Sequence, residues 1–315
     1  MYKKSFDIYY VCINNRPKKL MNSYFLNNFY SRLIILSTIF CIILSLVIPE
    51  LVLNILAFSG ILTFGIIHGA NDLFLIDKVS TKKNLKVQFV YYLLMVLGFF
   101  IFFYSFPALA LLTFVFLSSY HFGEHQLTLF NKKEVNSIKF LYFSYGLTIF
   151  SLIFYFNSNQ VNEIIFDITS IKLNYNFYYI LLTVSSFLTI LQSLFFYRSL
   201  KDQLLVQVLL TILFVVTLNF SSLIWSFGIY FVIWHSLPSI IEQTNFLYGK
   251  TKKDNIIKYF KKASFYWILS LFGLVFTYYF FYENQSQLLS IFFSFLAAIT
   301  FPHTFVIAKI KKPSK

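Results

Sequence analysis

The chain is 315 residues long, 58% hydrophobic and 22% aromatic, and only 12% of it is charged. A soluble domain carries about twice that share of charge, so a water-soluble fold is excluded, and the net charge of +14 reads as a membrane-orienting bias and not as a surface for nucleic acid. A membrane β-barrel is excluded as well, because its strands alternate apolar and polar residues whereas the apolar runs here are continuous.

Residues 1–32 hold Lys3, Lys4, Arg16, Lys18, Lys19 and Arg32 with no apolar stretch between them. That pattern predicts a basic cytosolic tail and not a cleaved signal peptide. Ten apolar blocks come next, near the ~20 residues that span a hydrocarbon core. They run over 33–49, 51–77, 87–104, 107–130, 139–156, 177–197, 203–219, 222–247, 263–282 and 286–308. Pro49, Pro107 and the Asn/Ser cluster at 157–159 fall between blocks and predict turns. Residues 33–310 therefore read as one transmembrane domain, an all-α polytopic bundle, closed by a short basic tail at 311–315. Cys12 and Cys41 are too few for a disulfide framework or a metal cluster.

The basic residues orient the spans. With the N-terminus in the cytosol, every Lys and Arg except Lys172 falls on the cytosolic side, including all those between Lys250 and Lys262. Lys172 lies beside Glu163 and Asp167 in the loop after the fifth block. One missed or invented span would invert every later loop, so the predicted topology is ten spans with both termini inside. The predicted location is the inner (plasma) membrane.

None of the five histidines lies in a predicted loop. His68 falls in the second span, His121 and His125 in the fourth, His235 in the eighth and His303 in the tenth, all running toward the cytosol. Counted back from the next basic residue, His68 is 10 residues in, His121 is 11, His235 is 15 and His303 is 6. At 1.5 Å per residue these four lie within ~14 Å of one another in depth. A lone membrane-embedded His commonly serves as a hydrogen-bonding contact between helices. Ionisable groups at depth are costly and mark sites, so five together point to a shared metal, with packing contacts or a proton or ion relay as alternatives. Neutral imidazole is the commonest metal ligand, and an all-His set suits Fe, Cu, Zn or Ni.

The local sequences add detail. His68 and Asp72 are four apart and share a helix face, so Asp72 is placed to take the second ring N–H of a His on a neighbouring helix. Gly65 and Gly69 form a GxxxG step that lets another backbone approach. In the fourth span, His121, Glu124 and His125 occupy adjoining faces, with Glu124 a supporting carboxylate. Pro302, just before His303, frees a carbonyl one turn earlier.

The stretches Gly65-x-x-His68-Gly69-x-x-Asp72, His121-Phe122-Gly123, Trp234-His235-Ser236 and Pro302-His303, in that order, resemble the Brp/Blh-type β-carotene 15,15′-dioxygenases, membrane proteins of retinal-forming bacteria and archaea. The resemblance implies an iron(II) enzyme that cleaves the central double bond of β-carotene with O2 to give two all-trans-retinal. It implies His68, His121 and His235 as iron ligands with Asp72 in support. Many relatives carry a further His one turn after the Trp-His step, where this chain has Ser239 behind Pro238. The fourth ligand then falls to His303 by depth, with His125 as the alternative. Four neutral imidazoles leave iron(II) two free positions. The implied partners are β-carotene, O2, the lipid bilayer and, through retinal, a functional link to a retinal-binding rhodopsin. The aromatic run Phe99, Phe100, Phe102, Phe103 and Tyr104 suits the lining of a polyene tunnel. From another class, a membrane metal or proton transporter would use the same His cluster, but would be expected to show more midplane carboxylates.

Overall fold

The computed structural model describes residues 29–80, 84–130, 138–280 and 288–311. The expected basic tail before Phe29, Cys12, Lys82, Lys83, Lys132, Lys133 and the residues after Lys311 lie outside the described residues. Every element among the described residues is helical. In a bilayer this satisfies each backbone group within its own segment, where no water is available to do so.

The helices are α1 (Phe29–Val47), α2 (Glu50–Val79), α3 (Leu85–Ser105), α4 (Pro107–Phe130), α5 (Lys139–Phe156) and α6 (Ser158–Thr169). After these come α7 (Tyr175–Phe195), α8 (Tyr197–Asn219), α9 (Leu223–Tyr248), α10 (Lys253–Phe280) and α11 (Leu288–Lys311). Eight of them are long and apolar enough to cross a membrane. The other two long helices are α4, with 24 residues, and α10, with 28. α4 carries His121, Glu124, His125 and Gln126 within its run, and α10 opens on Lys253, Lys258, Lys261 and Lys262.

Three expectations need correction. Residues 158–169, taken as part of a loop, form the amphipathic helix α6. Its Val161 and Ile164 face inward, a 3.6-residue spacing too short and too polar to register as a span. Lys253 to Lys262 are helical and not a loop, because lysine is a good helix former and a helix can continue past the membrane surface. Backbone does not approach Gly65 and Gly69; side chains do. A Cβ on Gly65 would lie 2.6 Å from the Phe231 ring, and one on Gly69 would meet His303 at 3.7 Å. The close backbone contact belongs to α4 and α5, where a Cβ on Gly123 or Gly146 would lie 1.8 Å from a carbonyl oxygen of the other helix.

α9 is the central helix. Of its apolar window 78% is buried, against 11% for α3 and for α7 at the rim. Its ends are set locally: the Ser222 side chain accepts from Trp225 N at 3.3 Å, and Gly249, at φ 80°, ends the helix in the left-handed region. Around it pack α1, α2, α4 and α10, and α11 packs on α2, α3 and α4. Phe99 and Phe103 of the aromatic run are buried against α11, Phe99 stacking on Phe301 at 4.4 Å, while Tyr104 is exposed. Phe99 and Phe103 of that run therefore pack helix against helix.

Candidate metal centre

Two helices depart from α geometry where the site forms. Ile61–Gly65 of α2 and Ile229–Ser236 of α9 are π-helical, a local widening frequent at functional sites. The first ends three residues before His68 and the second contains His235. Their carbonyls find side-chain donors: Trp267 Nε1 donates to Leu62 O at 2.7 Å and Ser236 Oγ to Phe231 O at 2.7 Å. The two segments pack on each other, with the Phe231 ring against Gly65.

From these helices and two others, four buried imidazoles converge: His68 from α2, His121 from α4, His235 from α9 and His303 from α11. Their rings form a closed quadrangle. Centroids are 5.0 Å apart for His68 and His235, 4.9 Å for His235 and His121, 5.2 Å for His121 and His303, and 4.8 Å for His303 and His68. Ligand atoms of His68, His235 and His303 all lie within 4.8 Å of one another.

The hydrogen bonds set which nitrogen of each ring is left over. His68 Nδ1 donates to the Gly65 carbonyl, three residues back on its own helix. His303 Nδ1 donates to Asp72, 2.8 and 3.0 Å from its two carboxylate oxygens. In both rings Nε2 remains as a lone-pair donor, the orientation that metal-bound imidazoles adopt. Neither nitrogen of His235 has a hydrogen-bond partner among the described residues, although the ring is 2% exposed. A buried polar group is ordinarily partnered, so an imidazole orphaned among three others fits a metal ion, and an all-nitrogen set suits a transition metal.

His125 sits beside this quadrangle. Its ring is 4.7 Å from that of His235, and its Nε2 lies 3.2 Å from Ser239 Oγ and 3.4 Å from Glu242. Ser239 is the residue one turn after His235 that stands where the resemblance led to a further His. Glu124 takes the Tyr120 hydroxyl at 3.5 Å.

A family model described as β-carotene 15,15′-dioxygenase matches residues 59–311. The chain belongs to that family. No curated protein and no solved structure matches it. The match takes in all four histidines of the quadrangle, and the ordered motifs from Gly65 to His303 lie within it.

Two supports of this β-carotene 15,15′-dioxygenase family site carry no sequence signal. Tyr92 of α3 donates to Asp72 at 3.0 Å, so the carboxylate receives a phenol and an imidazole together. Tyr259 of α10, fully buried, has its hydroxyl 2.7 Å from Gln243 Oε1 and 3.3 Å from the His68 carbonyl, two acceptors for its one proton, while the Asn71 side chain donates to the Tyr259 backbone carbonyl at 3.2 Å. Tyr259 belongs to the stretch read as loop, and Tyr92 is one of 23 tyrosines. Only the tertiary structure singles them out.

Proposed function

We propose that the chain is an iron(II)-dependent dioxygenase that cleaves the 15,15′ double bond of β-carotene with O2, giving two all-trans-retinal. The observation that carries this reading is the quadrangle of buried imidazoles, one from each of four helices, inside a chain of this family. We read His68, His121, His235 and His303 as the ligands, one per helix around the ion. His125 is read as a neighbour held by Ser239 and Glu242. Residues 33–310 form the catalytic domain between the basic tails 1–32 and 311–315. The domain crosses the plasma membrane ten times, with both termini in the cytosol.

An iron(II) held by these neutral imidazoles keeps its full charge and supplies oxygen chemistry beside an alkene. The protein's own contribution is placement. Asp72 holds the His303 ring by its Nδ1 and is itself held by Tyr92. Phe122, 4.6 Å from His235, and Phe231, 5.7 Å from His68, wall the imidazoles with hydrocarbon. Selective attack on one bond among many alike requires that bond to be positioned, and with O2 and the polyene as the sole reactants no side chain has to transfer a proton. The retinal released is chemically suited to a retinal-binding rhodopsin, which we take as the functional partner downstream.

The metal or proton transporter that the histidines alone also allowed has no observation in its favour once the family is known. Expression in cells that accumulate β-carotene tests the proposal. Loss of yellow colour with accumulation of retinal is expected. Unchanged colour, or aldehydes of unequal length, would count against it.

A further inference from the structure

His125 has no part in the quadrangle, yet its ring lies 4.7 Å from that of His235. It is one turn from His121 on α4, toward the helix end read as cytosolic. Two oxygens gather at its Nε2: Ser239 Oγ at 3.2 Å and Glu242 Oε2 at 3.4 Å. His235, Ser239 and Glu242 are spaced four and three residues apart on α9, the spacing of one helix face. That face carries donor atoms from the quadrangle toward the helix end at Gly249, over ~10 Å. Exposure rises along the way: His235 is 2% exposed, the His125 side chain 8% and the Glu242 side chain 42%. At the diagonal corner of the quadrangle the carboxylate beside His303, that of Asp72, is sealed at 2%.

A metal ion has to cross this margin to reach four buried rings. A dication cannot give up its water to hydrocarbon without a partner, and Phe122 and Phe231 wall the rings with hydrocarbon. The cytosolic rim adds repulsion, because Lys250, Lys252, Lys253, Lys258, Lys261 and Lys262 follow α9 in the chain. Glu242 sets a negative group, partly in water, eight residues before the first of them. Its oxygen can replace a water on the ion before the ion goes further. Two donors that share an ion at about 2.1 Å stand about 3–4 Å apart. The distances from His125 to Glu242 and to Ser239 meet that condition. With His235 in ring contact beyond them, the ion can advance by exchanging one donor at a time.

Resting on the metal-centre reading above, we propose that Glu242, His125 and Ser239 form a transit site through which a divalent transition metal enters the quadrangle from the cytosol. Glu242 takes the ion from water, His125 Nε2 and the Ser239 hydroxyl draw it inward, and His235 receives it. With the ring proton on Nδ1, His125 offers the Nε2 lone pair to the ion. Neither nitrogen of His235 has a hydrogen-bond partner among the described residues, so no bond has to break for that ring to accept the ion. A transit site differs from a further ligand in that it sets rates and not the equilibrium.

The experiment uses the full-length protein in detergent with Co(II) as the probe, since its visible absorbance reports its ligands. The protein is loaded, stripped by a chelator and reloaded, and both directions are timed. Glu242→Gln is expected to slow uptake and release by the same factor, about 10-fold or more, and to leave Kd unchanged, because entry and exit share one path. Glu242→Asp, which keeps the charge, is expected to recover part of the rate. Glu50→Gln, the same charge change at the far end of α2, is expected to load as wild type does. Unchanged rates in Glu242→Gln overturn the proposal. So does a raised Kd with unchanged uptake, which would make Glu242 a support of the bound ion. If Glu242→Gln does not fold, Ser239→Ala and Glu242→Asp decide by the same pair of rates: slowing of both directions with unchanged Kd upholds the route, and wild-type rates in both variants overturn it. A wild type that takes up no Co(II) overturns the metal centre itself, on which the route rests.

Discussion

Five histidines have five different surroundings, and substitutions should separate them. His68, His121, His235 and His303 contribute one ring per helix, so replacing any one with Ala is expected to abolish both iron retention and retinal formation. His125, already engaged by Ser239 and Glu242, is expected to tolerate Ala with iron retained and about a tenth of the activity or more, since losses behind the ligands run to roughly 10–100-fold. Metal content of the purified variants checks this, and iron lost from His125→Ala but kept in His303→Ala would reverse the assignment. Asp72→Asn keeps an oxygen for the His303 ring but removes the charge. Its metal affinity, titrated against a chelator, is expected to fall about 10–100-fold, whereas Tyr92→Phe, which leaves the carboxylate in place, should lose less. An Asp72→Asn protein as tight as wild type would make the carboxylate a packing group only. At this scale the sequence is informative about His68, His121, His235, His303 and Asp72, because ionisable groups at membrane depth are conspicuous. It is silent on Tyr92 and Tyr259, whose partners lie 20 and 191 residues away.

Between elements, glycine decides how near two helices come. Gly123→Ala and Gly146→Ala each place a methyl against a backbone carbonyl that has no rotamer with which to yield. Forced apart, α4 and α5 are expected to lose about 1–3 kcal/mol, read as a lower unfolding temperature in detergent, and α4 carries His121. Gly65→Ala meets side chains, the Phe231 ring most closely and Ile61 next, so its cost should show more in iron retention than in unfolding. Gly98→Ala, with open space around it, should be neutral or slightly stabilising by helix propensity; if it destabilised as much as Gly123→Ala, close approach would not be the cause. Nine of the ten long helices begin and end within six residues of their predicted limits, because apolar length is a strong signal. α10 exceeds its block by ten residues because hydropathy marks the membrane-embedded part and not the helix. The π-helical turns at Ile61–Gly65 and Ile229–Ser236 have no such signature, since they arise from how α2 and α9 pack on each other.

For the whole molecule, the charge asymmetry predicts that reporter fusions after Gly249 and after Glu283 lie on opposite sides of the membrane. Equal reporting would remove α10 as a span and invert α11. The quadrangle also has a consequence for synthesis. Its four corners lie at positions 68, 121, 235 and 303, so the closing contact joins the second helix to the last. Chains fold from the N-terminus as they emerge, and contacts distant in sequence form late. Asp72 therefore enters the bilayer well before His303, its partner, has been translated. A chain stopped ahead of Leu288 should insert its earlier helices and retain no iron. Iron capture would then mark completed chains, and a ribosome that fails in the last helix would leave a protein unable to use oxygen.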